Sequence, residues 1–264
     1  MRLPLILCLY AVSACLPAAA GAWTQVKGQT LLIDGITVSE ASDQFGPTAT
    51  PKGFYFNKTF IQSSLEYGVT NWLTLLAAPE FVSARWGASQ QAAVKAPDTA
   101  VDAGLRLRLF AGAGVLSIQG TACSAGAFDL YVADPTSNGS AKLISGKAAE
   151  ARLLYGRNFK LFGRDGFSDV EAAERWISRP RPNELAVDTA TGLWLTKKTL
   201  VLLQTFNTLS QGRTSQPYRA SKLEVSLVQN LVKEWSLQMG GFVSPSGSNT
   251  IVERGITLSI WRRY

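Results

Sequence analysis

The sequence predicts an all-β fold: one up-and-down antiparallel transmembrane β-barrel of about twelve strands. Three observations predict it. The chain divides into segments of roughly ten residues, the length a tilted strand needs to cross a bilayer. Many of these alternate apolar and polar side chains, as a strand with two unlike faces must. Val101, Ala103, Leu105, Leu107 and Leu109, for example, oppose Asp102, Gly104, Arg106 and Arg108. Thirdly, the connections sort by parity. Short ones fall at Thr70-Asn71, Gly112-Ala113, Lys160 to Gly166, Thr196 to Lys198 and Lys233-Glu234. Longer ones fall at 39–53, 86–99, 128–145, 178–183, 211–219 and 244–250. A barrel with both ends in the periplasm has short inner turns and longer outer loops, whereas a soluble sandwich has no reason to sort its loops this way.

Met1 to Ala22 reads as a secretory leader. Arg2 is the positive start, Leu3 to Val12 the apolar run, and Ala18-Ala19-Ala20 or Ala20-Gly21-Ala22 the small-residue cleavage site. Val12-Ser13-Ala14-Cys15 also fits a lipoprotein processing box, so lipidation at Cys15 stays open beside peptidase cleavage. Residues 23–264 then form one barrel domain. Of three cysteines only Cys123 lies outside the leader, so no internal disulfide framework is expected. The chain has no histidine, which removes imidazole bases and the commonest metal ligand. No cofactor or metal is expected. The net charge of +7 is spread without a basic cluster, so nucleic acid is not an expected partner.

Taken in order, Gly28 to Ile36 is the first candidate strand, with Leu31 and Ile33 on one parity. Phe54 to Val69 is long: Lys58, Gln62, Ser64 and Glu66 share one face, Tyr55, Ile61, Leu65 and Tyr67 the other. The run Glu66-Tyr67-Gly68-Val69-Thr70-Asn71-Trp72-Leu73-Thr74-Leu75 turns tightly at Thr70-Asn71. It resembles a hairpin of proteobacterial outer-membrane channel-like proteins of the phenol-degradation MetA-pathway and transporter type. The resemblance spans about ten residues, with weaker echoes at Asp169 to Arg175 and the C-terminus. It implies a channel-like barrel and leaves the cargo open.

Leu109 to Phe128 carries no charged residue, yet Ala111 to Gly114 reads as a turn and Leu116, Ser117, Ile118 and Gln119 alternate. A hairpin is expected there, not a helix. Ala149 to Phe159 and Phe167 to Ile177 alternate around a turn at Gly163 to Gly166, with Glu174 misplaced on the apolar face. Leu185 to Leu195 alternates with Glu184, Asp188 and Trp194; the faces of Thr199 to Leu209 cannot be assigned. Lys222 to Leu231 and Trp235 to Val243 follow. The last strand, Gly255 to Tyr264, puts Ile256, Leu258, Ile260 and Tyr264 on one parity and Thr257, Ser259 and Arg263 on the other. It resembles the closing strand of bacterial outer-membrane barrels, whose final aromatic is read by the barrel-assembly machinery, although Arg262 departs from that pattern.

If the leucine-bearing face meets lipid, the lumen holds Glu66, Asp102, Arg106, Arg108, Glu150, Arg152, Asp169, Glu171, Arg175, Asp188, Lys222 and Glu224. Both signs occur, so most should pair. Tyr67, Trp72, Trp235 and Tyr264 stand beside short turns, where an inner aromatic girdle belongs. The function expected is an outer-membrane channel of a Gram-negative bacterium passing small polar or anionic solutes. The alternatives are a non-conducting structural or binding barrel and a soluble periplasmic sandwich. Outer-membrane hydrolases work with histidine, so no enzymatic activity is expected, although Asp169 and Glu171 have a spacing that could hold a cation or move a proton. Lipid and lipopolysaccharide are the expected surroundings, the latter met by Lys52, Arg85, Lys95, Arg179, Arg181, Arg213 and Arg219 in the loops.

Overall fold

The computed structural model describes residues 21–46, 55–87, 94–124, 147–178, 182–211 and 217–264. The leader with Cys15 and the loop residues Lys52, Arg179, Arg181 and Arg213 lie outside the described residues, as does the side chain of Lys95.

Twelve strands close into one barrel. They are β1 (Thr30–Ala41), β3 (Tyr55–Thr70), β4 (Leu73–Gly87), β5 (Val94–Ala111), β6 (Val115–Cys123) and β7 (Ala148–Leu161). The circuit continues through β8 (Arg164–Ile177), β9 (Glu184–Trp194), β10 (Thr199–Ser210), β11 (Arg219–Asn230), β12 (Trp235–Ser248) and β14 (Arg254–Arg263). Two short strands, β2 (Gln44–Phe45) and β13 (Thr250–Ile251), pair with each other beside the rim. Every barrel pairing is antiparallel, and β1 meets β14 from Leu31↔Arg263 to Glu40↔Arg254. The last residue joins the seam: the Tyr264 N–H donates to Thr30 O at 3.0 Å. Closure leaves no free edge, which a sheet facing lipid requires.

The faces are unambiguous. Leu105, Leu153, Leu227 and Ile256 stand 48%, 50%, 52% and 69% exposed on the outside, while Arg106 on the inside is 3% exposed. A water-soluble sandwich would invert that arrangement, burying aliphatics and exposing arginines. Among the described residues no helix is long and apolar enough to cross a membrane.

Several boundaries differ from expectation. Strands extend further at the outer end: β4 reaches Gly87 and β5 begins at Val94, within the expected loop 86–99. β12 likewise runs to Ser248 through the expected loop 244–250. The β7–β8 turn is also tighter, at Phe162-Gly163, with φ of 51° and 73°. Glycine accepts the left-handed region at no steric cost, which lets two residues join the strands.

Candidate functional site: the barrel lumen

The lumen has two storeys. The lower one is a core. Phe167, Leu200, Leu202, Val228 and Trp261 are buried inside the half of the barrel that carries the short turns, packed against Trp23, Ile33 and Trp194. These residues explain why Thr199 to Leu209 shows no clear alternation. Leu200 and Leu202 face an apolar interior while Val201 and Leu203 face outward, so both faces are oily.

Residues 21–29 enter this floor from the chain's start. The Gly28 N–H donates to Gly68 O at 2.7 Å and the Gly68 N–H returns to Gln29 O at 2.9 Å, so the segment continues the pairing of β3 inward. The Gln25 N–H donates to Thr74 Oγ1 at 2.8 Å, Gln25 Nε2 to Glu66 Oε2 at 2.7 Å, and the Thr24 hydroxyl to Asn71 O at 2.9 Å. Arg106 Nη1 donates to Trp23 O at 3.0 Å, and the Ser117 hydroxyl to Ala22 O. The Trp23 ring meets Phe167 edge-on, centroids 5.9 Å apart. It lies over Gly156, where a Cβ would fall 2.5 Å from the indole.

Above the floor lies a cavity of about 730 Å³. Of the predicted lumen residues, Glu66, Asp102, Arg106, Glu150, Arg152, Asp169, Glu171, Arg175, Asp188, Lys222 and Glu224 line it. Arg108 does not. Its register partner is Ser117, whose hydroxyl holds the floor segment at Ala22, beneath the cavity.

The charges are organised by partner. On the β7–β9 wall Arg152 binds Glu150 at 2.8 Å, Glu171 at 2.5 Å and Asp188 at 2.8 Å. Arg175 binds Glu150 and Glu184, each at 2.8 Å, and the Tyr218 hydroxyl donates to Glu184. Arg106 binds Glu66 at 3.1 Å, and its Nε donates to Gln119. Across the lumen Lys58 and Lys222 both reach Glu253, each at 2.7 Å, beside the Ser39 hydroxyl. Burial works against the charge of Glu253, but the two lysines and their hydrogen bonds outweigh it and hold its carboxyl far below the usual range.

Five cations line the cavity (Lys58, Arg106, Arg152, Arg175, Lys222) against eight carboxylates (Glu66, Glu80, Asp102, Glu150, Asp169, Glu171, Asp188, Glu224). Arg106, Arg152 and Arg175, the arginines expected to favour anions, are each engaged by carboxylates. Phe60, Phe206 and Phe242 also line the cavity. Sequence reading missed four groups. Glu80 sits beside Pro79, which obscures the alternation of β4; Glu184 and Lys58 were on polar faces without being singled out; Glu253 lies just outside a strand.

On the outer surface Tyr67, Trp72, Trp235 and Tyr264 are 44%, 52%, 38% and 50% exposed, where a girdle would meet the membrane interface. They also account for Arg262: its guanidinium lies 4.8 Å from the Trp235 ring centre and 4.4 Å from that of Tyr264. Glu174 does face outward, paired with Ala151 and Leu185, but near the outer end of β8. Asp34 is the unexpected one. It pairs with Ile260 and Ser63 on the outer face, is exposed, and accepts the Ser63 hydroxyl at 2.6 Å.

No family model matches the chain, and no curated protein matches it by sequence. Solved structures do. The COG4313 outer membrane channel from Pseudomonas putida F1 superposes with a TM-score of 0.68 at 14% identity, over 92% of this chain and 98% of that one. The translocator domain of the autotransporter NalP from Neisseria meningitidis superposes with a TM-score of 0.52 at 11% identity, over 91% and 90%. Identities this low speak for the fold alone, an outer-membrane type of β-barrel.

Proposed function

We propose that this protein is a Gram-negative outer-membrane channel for small polar solutes, with preference for those carrying positive charge. The observation that carries the reading is the cavity of about 730 Å³, lined by eight carboxylates and five cations. Rings of fixed charge set the sign of what enters a pore, and here the excess is negative. Phe60, Phe206 and Phe242 suit a solute with an apolar body and a cationic head. The likeness to an outer membrane channel supports the same class. Residues 21–29 are hydrogen-bonded and packed into the floor, so on this reading conduction requires that segment to move. The packed floor also favours a second reading, a barrel that conducts nothing. Exposed Arg85 and Arg254 at the rim suit lipopolysaccharide phosphates, and the seam residue Tyr264 suits recognition by the assembly machinery.

Planar-bilayer recording in a salt gradient tests the proposal. The expected reversal potential has the cation-selective sign, reduced toward neutrality by Glu171→Gln with Asp188→Gln. Trp23→Ala should raise the open probability by loosening the floor. An anion-selective potential sinks the charge preference. Silence from both the parent chain and Trp23→Ala sinks the channel and leaves the non-conducting barrel.

A further inference from the structure

We propose that the mature chain begins at Gly21, and that Asp169 is the socket for the α-ammonium group that cleavage after Ala20 creates. The inference goes beyond channel activity and holds whatever the barrel carries; it rests on the secretory leader read from the sequence.

The first observation is a carboxylate with an unmet need. Asp169 on β8 is 2% exposed inside the lumen. Its Oδ2 is buried with no hydrogen-bond partner among the described residues. The neighbouring arginines are engaged elsewhere: Arg106 with Glu66, Gln119 and Trp23 O, Arg152 with Glu150, Glu171 and Asp188. A buried carboxylate oxygen without donor or cation is costly, and a cation placed beside it relieves that cost.

The second observation is what stands opposite that oxygen. A Cβ built on Gly21 would fall 2.0 Å from Asp169 Oδ2. Only glycine fits there without displacing the carboxylate. The Gly21 nitrogen is two covalent bonds from the Cβ position, which puts it within about 5 Å of Oδ2. While joined to Ala20 that nitrogen is a neutral amide with one hydrogen. Released by hydrolysis, it becomes a cation with three donors at neutral pH. Water adds across the Ala20–Gly21 peptide bond, its hydroxyl passing to the leader's new carboxyl end and its hydrogen to the nitrogen.

The third observation is that the residues after Gly21 are held in place. Ser117 and Arg106 donate to the carbonyls of Ala22 and Trp23, and the Trp23 ring occupies the space over Gly156. Ala18-Ala19-Ala20 satisfies the small-residue rule for leader cleavage immediately before Gly21. The competing site, after Ala22, would discard the group that Ser117 holds and leave Asp169 facing nothing. Lipidation at Cys15 would tether to the bilayer a point only six residues before a glycine buried in the lumen.

The test uses protein extracted from outer membranes with detergent. Intact mass and amino-terminal sequencing are expected to give Gly21 as the first residue. Acylation of the α-amine at neutral pH should then run at least tenfold slower in the folded wild type than in Asp169→Asn. Gly21→Ala, whose Cβ would drive the amine and the carboxylate apart, should accelerate it similarly. Far-ultraviolet circular dichroism checks that each variant is a folded barrel, and either variant alone suffices. A chain starting at Trp23, a lipid on Cys15, or equal acylation rates in wild type and folded variant overturns the proposal.

Discussion

The two storeys of the lumen are built from the same strands by different physics. Below, Phe167, Leu200, Leu202, Val228 and Trp261 pack as the interior of a soluble protein does, around a tryptophan from the chain's first described residues. Above, arginines and carboxylates line a cavity and answer one another in pairs and chains. Close packing has one arrangement and resists change; a wet ion network has several and exchanges partners with solvent. The comparison teaches that a packed core and a charged cavity have been separated along the barrel axis. On the proposed channel reading, the floor holds the shape and the upper lumen meets the solute.

The largest effect expected from breaking this contrast lies in the floor. Trp261 is 2% exposed, and its Nε1 donates to Gln238 at 3.0 Å. Trp261→Ala should cost about 3–5 kcal/mol, the usual range for removing a buried aromatic. Arg152→Ala in the upper lumen leaves three carboxylates without their shared cation. Because water can re-enter that cavity, its cost should be smaller, about 1–3 kcal/mol. Chemical unfolding in lipid vesicles measures both. If Arg152→Ala costs as much as Trp261→Ala, the upper storey is a dry plug and the distinction fails.

A second, more local effect sharpens it. Glu253 has its carboxyl held far below the ordinary 4.5 by Lys58 and Lys222, against the opposing effect of burial. A depressed folded value stabilises the fold above the unfolded value and is lost as pH falls through the depressed range. Acidification well below pH 4 should therefore loosen residues 244–253 while the apolar cluster around Trp261 stays protected. Hydrogen exchange at Ser244 and Val252, whose N–H groups donate to Glu253 O and Asp43 O, reads the first, and Trp261 the second. Equal loosening of both would mean the storeys are one cooperative unit.

The same contrast decides how much the sequence could disclose. Lipid demands an apolar side chain at every second position, so the outer face of β5, β7, β8, β11 and β14 was legible from alternation alone. The upper lumen was legible for the matching reason: its charges recur with period two against that oily face, as Arg152 and Glu150 do. The floor was not. Leu200, Leu202, Val228 and Ile33 are apolar on the inward side too, so period two disappears where the barrel has a core. Residues 21–29 form no strand of their own and are recognised only by the cavity they fill. Pro79 hid Glu80, and the Lys58–Glu253–Lys222 bridge depends on which distant strands closure brings together. Pattern reports the environment of a side chain; partners come from register.

The smallest expected effect concerns the barrel's outer wall. Asp34 and Glu174 are both acidic and both face outward, at different heights. Thr30 pairs with Tyr67 at the inner girdle, and Asp34 lies four residues further along β1. At the usual strand rise and tilt that is roughly 10 Å into a lipid-facing band about 25 Å tall. Glu174, by contrast, is three residues from the outer end of β8. The cost of an outward charge falls from midplane to interface, and acidic residues cost less than basic ones. Asp34→Leu should therefore stabilise the barrel by about 1–2 kcal/mol, offset in part by loss of the Ser63 hydrogen bond, and Glu174→Leu by less than about 0.5 kcal/mol. Unfolding midpoints in vesicles compare them directly. Should Asp34→Leu destabilise the protein instead, the carboxylate is not facing lipid in the membrane, and something polar must cover it there.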